Sequence, residues 1–307
     1  MLAIGSTFEP YNQAQLAVVL IYFIGVLSVT ILTGISGQIS LGQGALMAVG
    51  GYTTALLMTN YSISLWIAVP ASIVGAGIAG ALLGIAAARL SGPYLAGTTL
   101  VIALAIPTIA NRFMSVFKGD EGIQVDVGYP PSWFTSLFGE PTDEEWQLYV
   151  VLPFAAIALF FASNLLLSRT GRIWKSIRDH ETAAALTGVN YSRQKIYVFI
   201  IASIFAGLSG ALYGLRGFVG PSVYPVALSL TLLTAAVLGG IRSIFGAFIG
   251  TVIVVFLPDW IDLALGSFEL SEQISDFMPA LISSLLLILT VVINPAGVAG
   301  GHHHKHK

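Results

Sequence analysis

The chain has 307 residues, 56% of them hydrophobic and only 9% charged, with 13 Lys and Arg against 15 Asp and Glu. A soluble domain carries about 25% charged residues, so this chain lacks the polar skin that a globule of its size needs. Net charge −2, pI ≈ 6.2 and mean hydropathy +0.86 exclude a soluble enzyme, a disordered chain and a nucleic-acid binder, and leave a polytopic membrane protein.

A bilayer core takes about 20 mostly apolar residues per helix. Nine runs fit, near 14–33, 43–59, 64–88, 94–116, 147–167, 196–215, 226–241, 243–258 and 277–293. They are long and continuous rather than alternating, which predicts an all-α fold of about nine transmembrane helices and not a barrel. Residues 1–15 hold no Lys or Arg but do hold Glu9 and Pro10, so no cleavable leader is expected.

Between the first two runs lies an uncharged, glycine-rich break from Gly34 to Met47, continuing to Gly51, Tyr52 and Thr53. Such breaks are tolerated at membrane depth where they face protein or a wet cavity. Gln38, Ser40 and Gln43 offer donors and acceptors to a passing solute. They equally suit a plain turn between helices. Pro107 should kink the fourth run. The pairs Gly80/Gly84, Gly210/Gly214 and Gly246/Gly250 each put two glycines on one helix face, as close helix packing requires.

Charge placement sets the orientation. Residues 119–168 carry seven acids (Asp120, Glu121, Asp126, Glu140, Asp143, Glu144, Glu145) and no base, whereas 169–195 carry Arg169, Arg172, Lys175, Arg178, Arg193 and Lys195. The positive-inside rule puts 119–146 outside and 168–195 in the cytoplasm, with an outside N-terminus and a cytoplasmic tail at 296–307. Only Arg112, Lys118 and Arg216 of the 13 basic residues then fall outside. Within 168–195, Arg172 to Leu186 reads as one helix that Gly188 ends, with a Lys175–Asp179 pair and with Ser192 capping the next helix. Its apolar edge (Ile173, Trp174, Ile177) and small patch (Ala183, Ala184, Ala185) suit docking on another protein or lying on the inner leaflet. Asp179 and Glu181 would be repelled by anionic lipid, which favours docking.

Catalytic chemistry is not expected. There is no cysteine, and His180 is the only histidine outside the tail. The tail (His302, His303, His304, Lys305, His306, Lys307) reads as a tag or a flexible basic end and is assigned no metal site. None of the five lysines follows a glycine, which excludes a P-loop. The expected spans hold no Asp or Glu, against a proton symporter.

The segment Ser36-Gly-Gln-Ile-Ser-Leu-Gly-Gln-Gly-Ala-Leu-Met47 with Gly51-Tyr52-Thr53 resembles the first signature of the branched-chain amino-acid ABC transporter permeases. Gly171 to Asn190 resembles their cytoplasmic coupling segment, and Phe205 to Tyr213 and Val237 to Gly246 follow in the family's order. Lys118-Gly-Asp-Glu-Gly122 sits where relatives have a glycine-rich external motif. The resemblance spans residues 14–295 and is closer to the "M" type of subunit than to its "H" partner.

The resemblance implies a single permease domain over 1–307 in a prokaryotic inner membrane. Its partners would be a homologous second permease, two cytoplasmic ATPase subunits that bind ATP and Mg, and an external solute-binding protein. Coupling would fall on Arg178, Asp179, Glu181, Ala184 and Gly188, with Gln38, Ser40, Gln43, Tyr52 and Thr53 as pathway candidates. The chain itself would bind no cofactor. The extra leading helix of many relatives is not expected, since the chain begins almost at the signature. The cargo would be branched-chain or other neutral amino acids, with urea or short amides as the alternative. A stand-alone secondary transporter is the reading from another class.

Overall fold

The computed structural model describes residues 10–90, 92–126, 128, 130–138, 140–265, 284–285 and 288–289. In chain order the elements are α1 (Pro10–Val29), a wide π-type turn (Thr30–Ile35), α2 (Gln43–Tyr61), α3 (Leu65–Ala87), α4 (Pro93–Arg112) and α5 (Met114–Phe117). A 3-10 turn (Gly119–Glu121), β1 (Ile123–Gln124), α6 (Ser132–Phe138), α7 (Asp143–Leu167), α8 (Arg169–Asp179) and α9 (Glu181–Leu186) follow. The chain continues as α10 (Tyr191–Gly214), β2 (Phe218–Val219), α11 (Val226–Gly239) and α12 (Ile244–Leu265). Helices thus occupy eight of the nine expected spans. The ninth and the tail fall outside the described residues, apart from the helical 284–285 and 288–289.

Among the described residues, six helices are long and apolar enough to cross a bilayer: α1 with its wide turn, α3, α4, α7, α10 and α12. α11 has only 14 residues. α2 has the length but carries Gln43, Thr53, Thr54, Thr59 and Asn60. It needs little oiliness, because α3, α10 and α11 shield most of its first 13 residues from lipid.

Glycine decides how closely the central helices approach. A Cβ on Gly210 would lie 1.8 Å from the Met47 carbonyl oxygen, and one on Gly50 would lie 2.1 Å from that of Gly207. α2 and α10 therefore cross backbone to backbone. Gly80 and Gly84 of α3 face Ser203, Phe199 and Ile196 of an antiparallel α10, and Gly246 and Gly250 pack on Gly239 and Ala235 across the α11–α12 hairpin. α1 lies against α7 and α10, and α1, α2 and α10 form the most buried part of the bundle.

The two ends of the bundle differ in charge. At one end Gln13 donates to Glu145 (3.1 Å), Tyr11 and Gln15 donate to Asp259 (3.2 and 3.1 Å), and β1 pairs with β2 through Ile123↔Val219 and Gln124↔Phe218. The other end gathers the 36–42 link, the start of α4, the basic α8–α9 segment and the α11–α12 turn.

Several expected boundaries move for local reasons. α7 starts at Asp143, earlier than 147, because Thr142 and Glu145 form a reciprocal capping box with three acids in the first turn. α12 runs on to Leu265, so Asp259 lies inside a spanning helix, correcting the expectation that the spans hold no acid. The helix expected over 172–186 is two helices, because His180 is extended (φ −152, ψ 94) between α8 and α9. Ser168 caps α8 by accepting from the Gly171 N–H, and Asn190, not Ser192, caps α10 by accepting from the Arg193 N–H. α4 continues through Pro107 and ends at Phe113, with α5 beyond it.

Candidate functional site

The glycine-rich break is a buried, hydrogen-bonded elbow. The wide turn closes through Gly37 N–H to the Thr33 carbonyl (3.1 Å) and Gln38 N–H to that of Leu32 (3.2 Å). The elbow then climbs past Leu41 N–H, which donates to Thr99 Oγ1 of α4 (2.9 Å), to Gly44 N–H, which donates to Ser229 Oγ of α11 (2.9 Å). Ser28 of α1 donates to Gln43 Oε1 (3.1 Å), and Gln38 Nε2 donates to Ser36 Oγ (3.1 Å). Gln38, Ser40 and Gln43 are all buried; Gln38 Oε1 and Gln43 Nε2 have no protein partner. Isolated burial of such an atom costs about 1–3 kcal/mol.

Tyr52 and Thr53, nine and ten positions beyond Gln43, line a cavity of ≈ 300 Å³ between α2 and α4, with Val49, Leu56, Ile106 and Phe117 among its walls. Tyr52 packs edge-on against Phe117 (centroids 5.1 Å) and beside Tyr224 (6.4 Å), whose hydroxyl donates to the Gly210 carbonyl (2.8 Å). The cavity is mostly apolar with a few polar groups, the make-up expected where a small, largely aliphatic solute is held. Of the five sequence-nominated pathway residues, the structure brings Tyr52 and Thr53 to this cavity and places Gln38, Ser40 and Gln43 in the elbow.

The basic segment has an inner and an outer half. In α8, Trp174 and Ile177 are buried against the bundle, and Trp174 Nε1 donates to Gln194 Oε1 (2.9 Å). The apolar edge read from the sequence therefore faces inward. Arg178, its side chain only 16% exposed, donates through Nη1 to the Gly34 carbonyl (2.8 Å) and pairs with Asp179 (2.8 Å). The expected Lys175–Asp179 pair is absent among the described contacts: Lys175 Nζ reaches the Leu166 carbonyl instead (3.4 Å).

α9 is the outer half. Ala184 turns inward, whereas Thr182, Ala183, Ala185 and Leu186 are exposed, Leu186 at 90%. Gly188 ends the segment with φ +86 and open space around it. Lys195, 4% exposed, anchors α9 from α10 through Glu181 (3.7 Å), and also contacts the Tyr191 hydroxyl and ring. The sequence reading missed two of these features, the burial of Lys195 and the exposure of Leu186. The i,i+4 spacing of Tyr191 and Lys195 was the available signal for the first.

A family profile described as branched-chain amino acid transport system, permease component, matches residues 13–293. The chain belongs to that family. This permease is 30% identical over 299 residues to the high-affinity branched-chain amino acid transport system permease protein LivM of Escherichia coli K12, covering 91% of this chain and 68% of the relative. It is 27% identical to LivH of Salmonella typhimurium LT2, covering 88% of each, and 27% identical to the L-arabinose transport system permease protein AraH of Escherichia coli K12, covering 84% and 75%. No solved structure matches the permease significantly. Permease subunits of ABC transporters have no catalytic site of their own, so the chemistry to be explained here is mechanical: a solute path and a means of moving it.

Proposed function

We propose that this permease is the membrane subunit of an ATP-driven importer for branched-chain or other neutral amino acids. It crosses a prokaryotic inner membrane nine times, N-terminus outside and C-terminus in the cytoplasm. It pairs with a homologous second permease and takes solute from an external binding protein. Of two ATPase subunits, which hold ATP and Mg, one docks on α9, and their closure tilts the bundle between inward- and outward-facing states. Asp179, Glu181, Ala184 and Gly188 serve docking at the coupling end, and Arg178 serves that end from its inner side, facing the elbow. Tyr52 and Thr53 line the path, with Gln38, Ser40 and Gln43 shaping its inner elbow.

The observation that carries the reading is α9 itself: a short helix with an apolar outward tip, ending at Gly188 and held from behind by the buried Lys195. A leaflet-bound helix would bury Leu186 in lipid among basic residues, yet Glu181 and Asp179 stand exposed beside it. The apolar walls and uncharged polar groups of the α2–α4 cavity suit a neutral or zwitterionic solute.

Purification in detergent with the ATPase subunits tests it. The parent chain co-isolates with them, and Glu181→Lys or Gly188→Val lowers the yield of complex by roughly tenfold, equivalent to about 1.4 kcal/mol of docking energy. Unchanged association in both variants would contradict docking through α9, and transport by this chain alone would favour the secondary-transporter reading.

A further inference from the structure

We infer that Arg178 is a positioning residue that carries movement of α9 into the elbow by tying α8 to the carbonyl end of α1; this rests on the reading of α9 as the ATPase-facing helix. The guanidinium is clamped from two sides. Nη1 donates to the Gly34 carbonyl (2.8 Å), while Nη2 and Nε meet Asp179 Oδ1 (2.8 and 2.9 Å). The planar guanidinium presents its donors to the two partners in fixed directions, whereas a lysine ammonium is a point charge on a flexible stem.

The receiving side is built to fit. The closing bonds of the wide turn go to the Leu32 and Thr33 carbonyls, and Gly34 offers its carbonyl to Arg178. Gly34 leaves no space for another side chain, since a Cβ there would lie 1.7 Å from the Ile241 carbonyl oxygen of the α11–α12 turn. Gly37, at φ +76, lets the backbone slide under the arginine stem, where a Cβ would be 2.7 Å from Arg178 Cγ. Cationic side chains are favoured at a helix carbonyl end, and here the cation comes from a different helix.

From α9 the path crosses the extended His180 to reach Arg178, and beyond Arg178 it runs through packed and hydrogen-bonded contacts. Trp174 and Ile177 seat α8 in the bundle, so α8 moves as a rod. Beyond Gly37 the elbow leads to Gln43, bonded to Ser28, and then up α2 to Tyr52 and Thr53 at the cavity wall. The second tie of the segment, Glu181 to Lys195 at 3.7 Å, holds α9 to α10 and bypasses the elbow. Contiguity is not coupling, so the test must read coupling itself.

The chain contains no cysteine, and a Cβ on Gly37 would lie 3.3 Å from Arg178 Cβ, close to the roughly 3.5–4.5 Å of disulfides. The assay uses proteoliposomes with the second permease, the ATPase subunits, the binding protein and radiolabelled leucine. Arg178→Met is expected to assemble and hydrolyse ATP while uptake falls about tenfold, within the range of allosteric couplings. The double variant Gly37→Cys/Arg178→Cys should lose both free thiols on oxidation. It should transport poorly when reduced and recover uptake when oxidised, because the covalent bridge replaces the strut. This comparison within one protein stands even if Arg178→Met folds badly.

Uptake that tracks ATP hydrolysis in Arg178→Met, failure of the two thiols to join, or an oxidised double variant as inactive as the reduced one would each overturn the inference. A parent complex that neither hydrolyses ATP nor takes up leucine would remove the underlying functional reading, and the inference with it.

Discussion

Gln43 is a side chain at which stability and function should separate. It is 1% exposed, accepts from Ser28, and keeps an amide nitrogen without a protein partner. Gln43→Leu removes that orphaned donor while nearly conserving volume, so thermal unfolding of the purified complex should shift little or upward. Leucine uptake should nevertheless fall, because the elbow loses its tie to α1; unimpaired uptake would return the segment to a plain turn. Trp174 shows the opposite pattern. It is fully buried, so Trp174→Ala should destabilise by about 3–5 kcal/mol. Trp174→Phe, which gives up the bond to the partly buried Gln194 and part of the ring volume, should lose less, about 1–3 kcal/mol; melting curves of both variants check the contrast.

At the scale of elements, α8 and α9 divide the labour of one loop. Leu186→Asp changes an almost fully exposed residue, so it should leave the melting temperature unchanged and weaken ATPase association roughly tenfold, read by co-purification. Gly188→Ala meets no neighbour but must hold φ +86, a left-handed strain of about 1–2 kcal/mol that should loosen α9 without harming the bundle. Hydrogen exchange confined to 181–190 would show it. Six of the nine expected spans and the glycine pairs were legible in the sequence because lipid demands oiliness and close packing demands missing side chains. The break at His180 was not, because no Pro or Gly marks it. α2 was read as one more oily span, yet its neighbours shield most of its first 13 residues, and Gln43 and Thr54 are buried against protein. The candidate site was half legible: composition singled out Gln38 and Gln43, whereas their partners Ser36 and Ser28, and the burial of Lys195, arise from tertiary placement that no local pattern encodes.

For the whole molecule, α1, α2 and α10 form a tightly crossed centre, while α3, α4, α7 and α12 turn much of their surface outward. Acidic groups collect at one end and the basic α8–α9 segment at the other, the asymmetry on which the proposed orientation rests. The centre is backbone against backbone, so a Gly210→Leu side chain, with the Met47 carbonyl 1.8 Å from its Cβ, should abolish assembly altogether, visible as loss of the folded peak in size-exclusion chromatography. The central claim is that this bundle supplies a path and a lever and draws its energy from partner subunits. The most direct measurement is ATP-dependent leucine accumulation in two sets of proteoliposomes, one holding the full set of subunits with the binding protein and one holding this chain alone. Accumulation against the gradient in the full set only is the predicted result; accumulation by the chain alone, or by the full set without ATP, would contradict it.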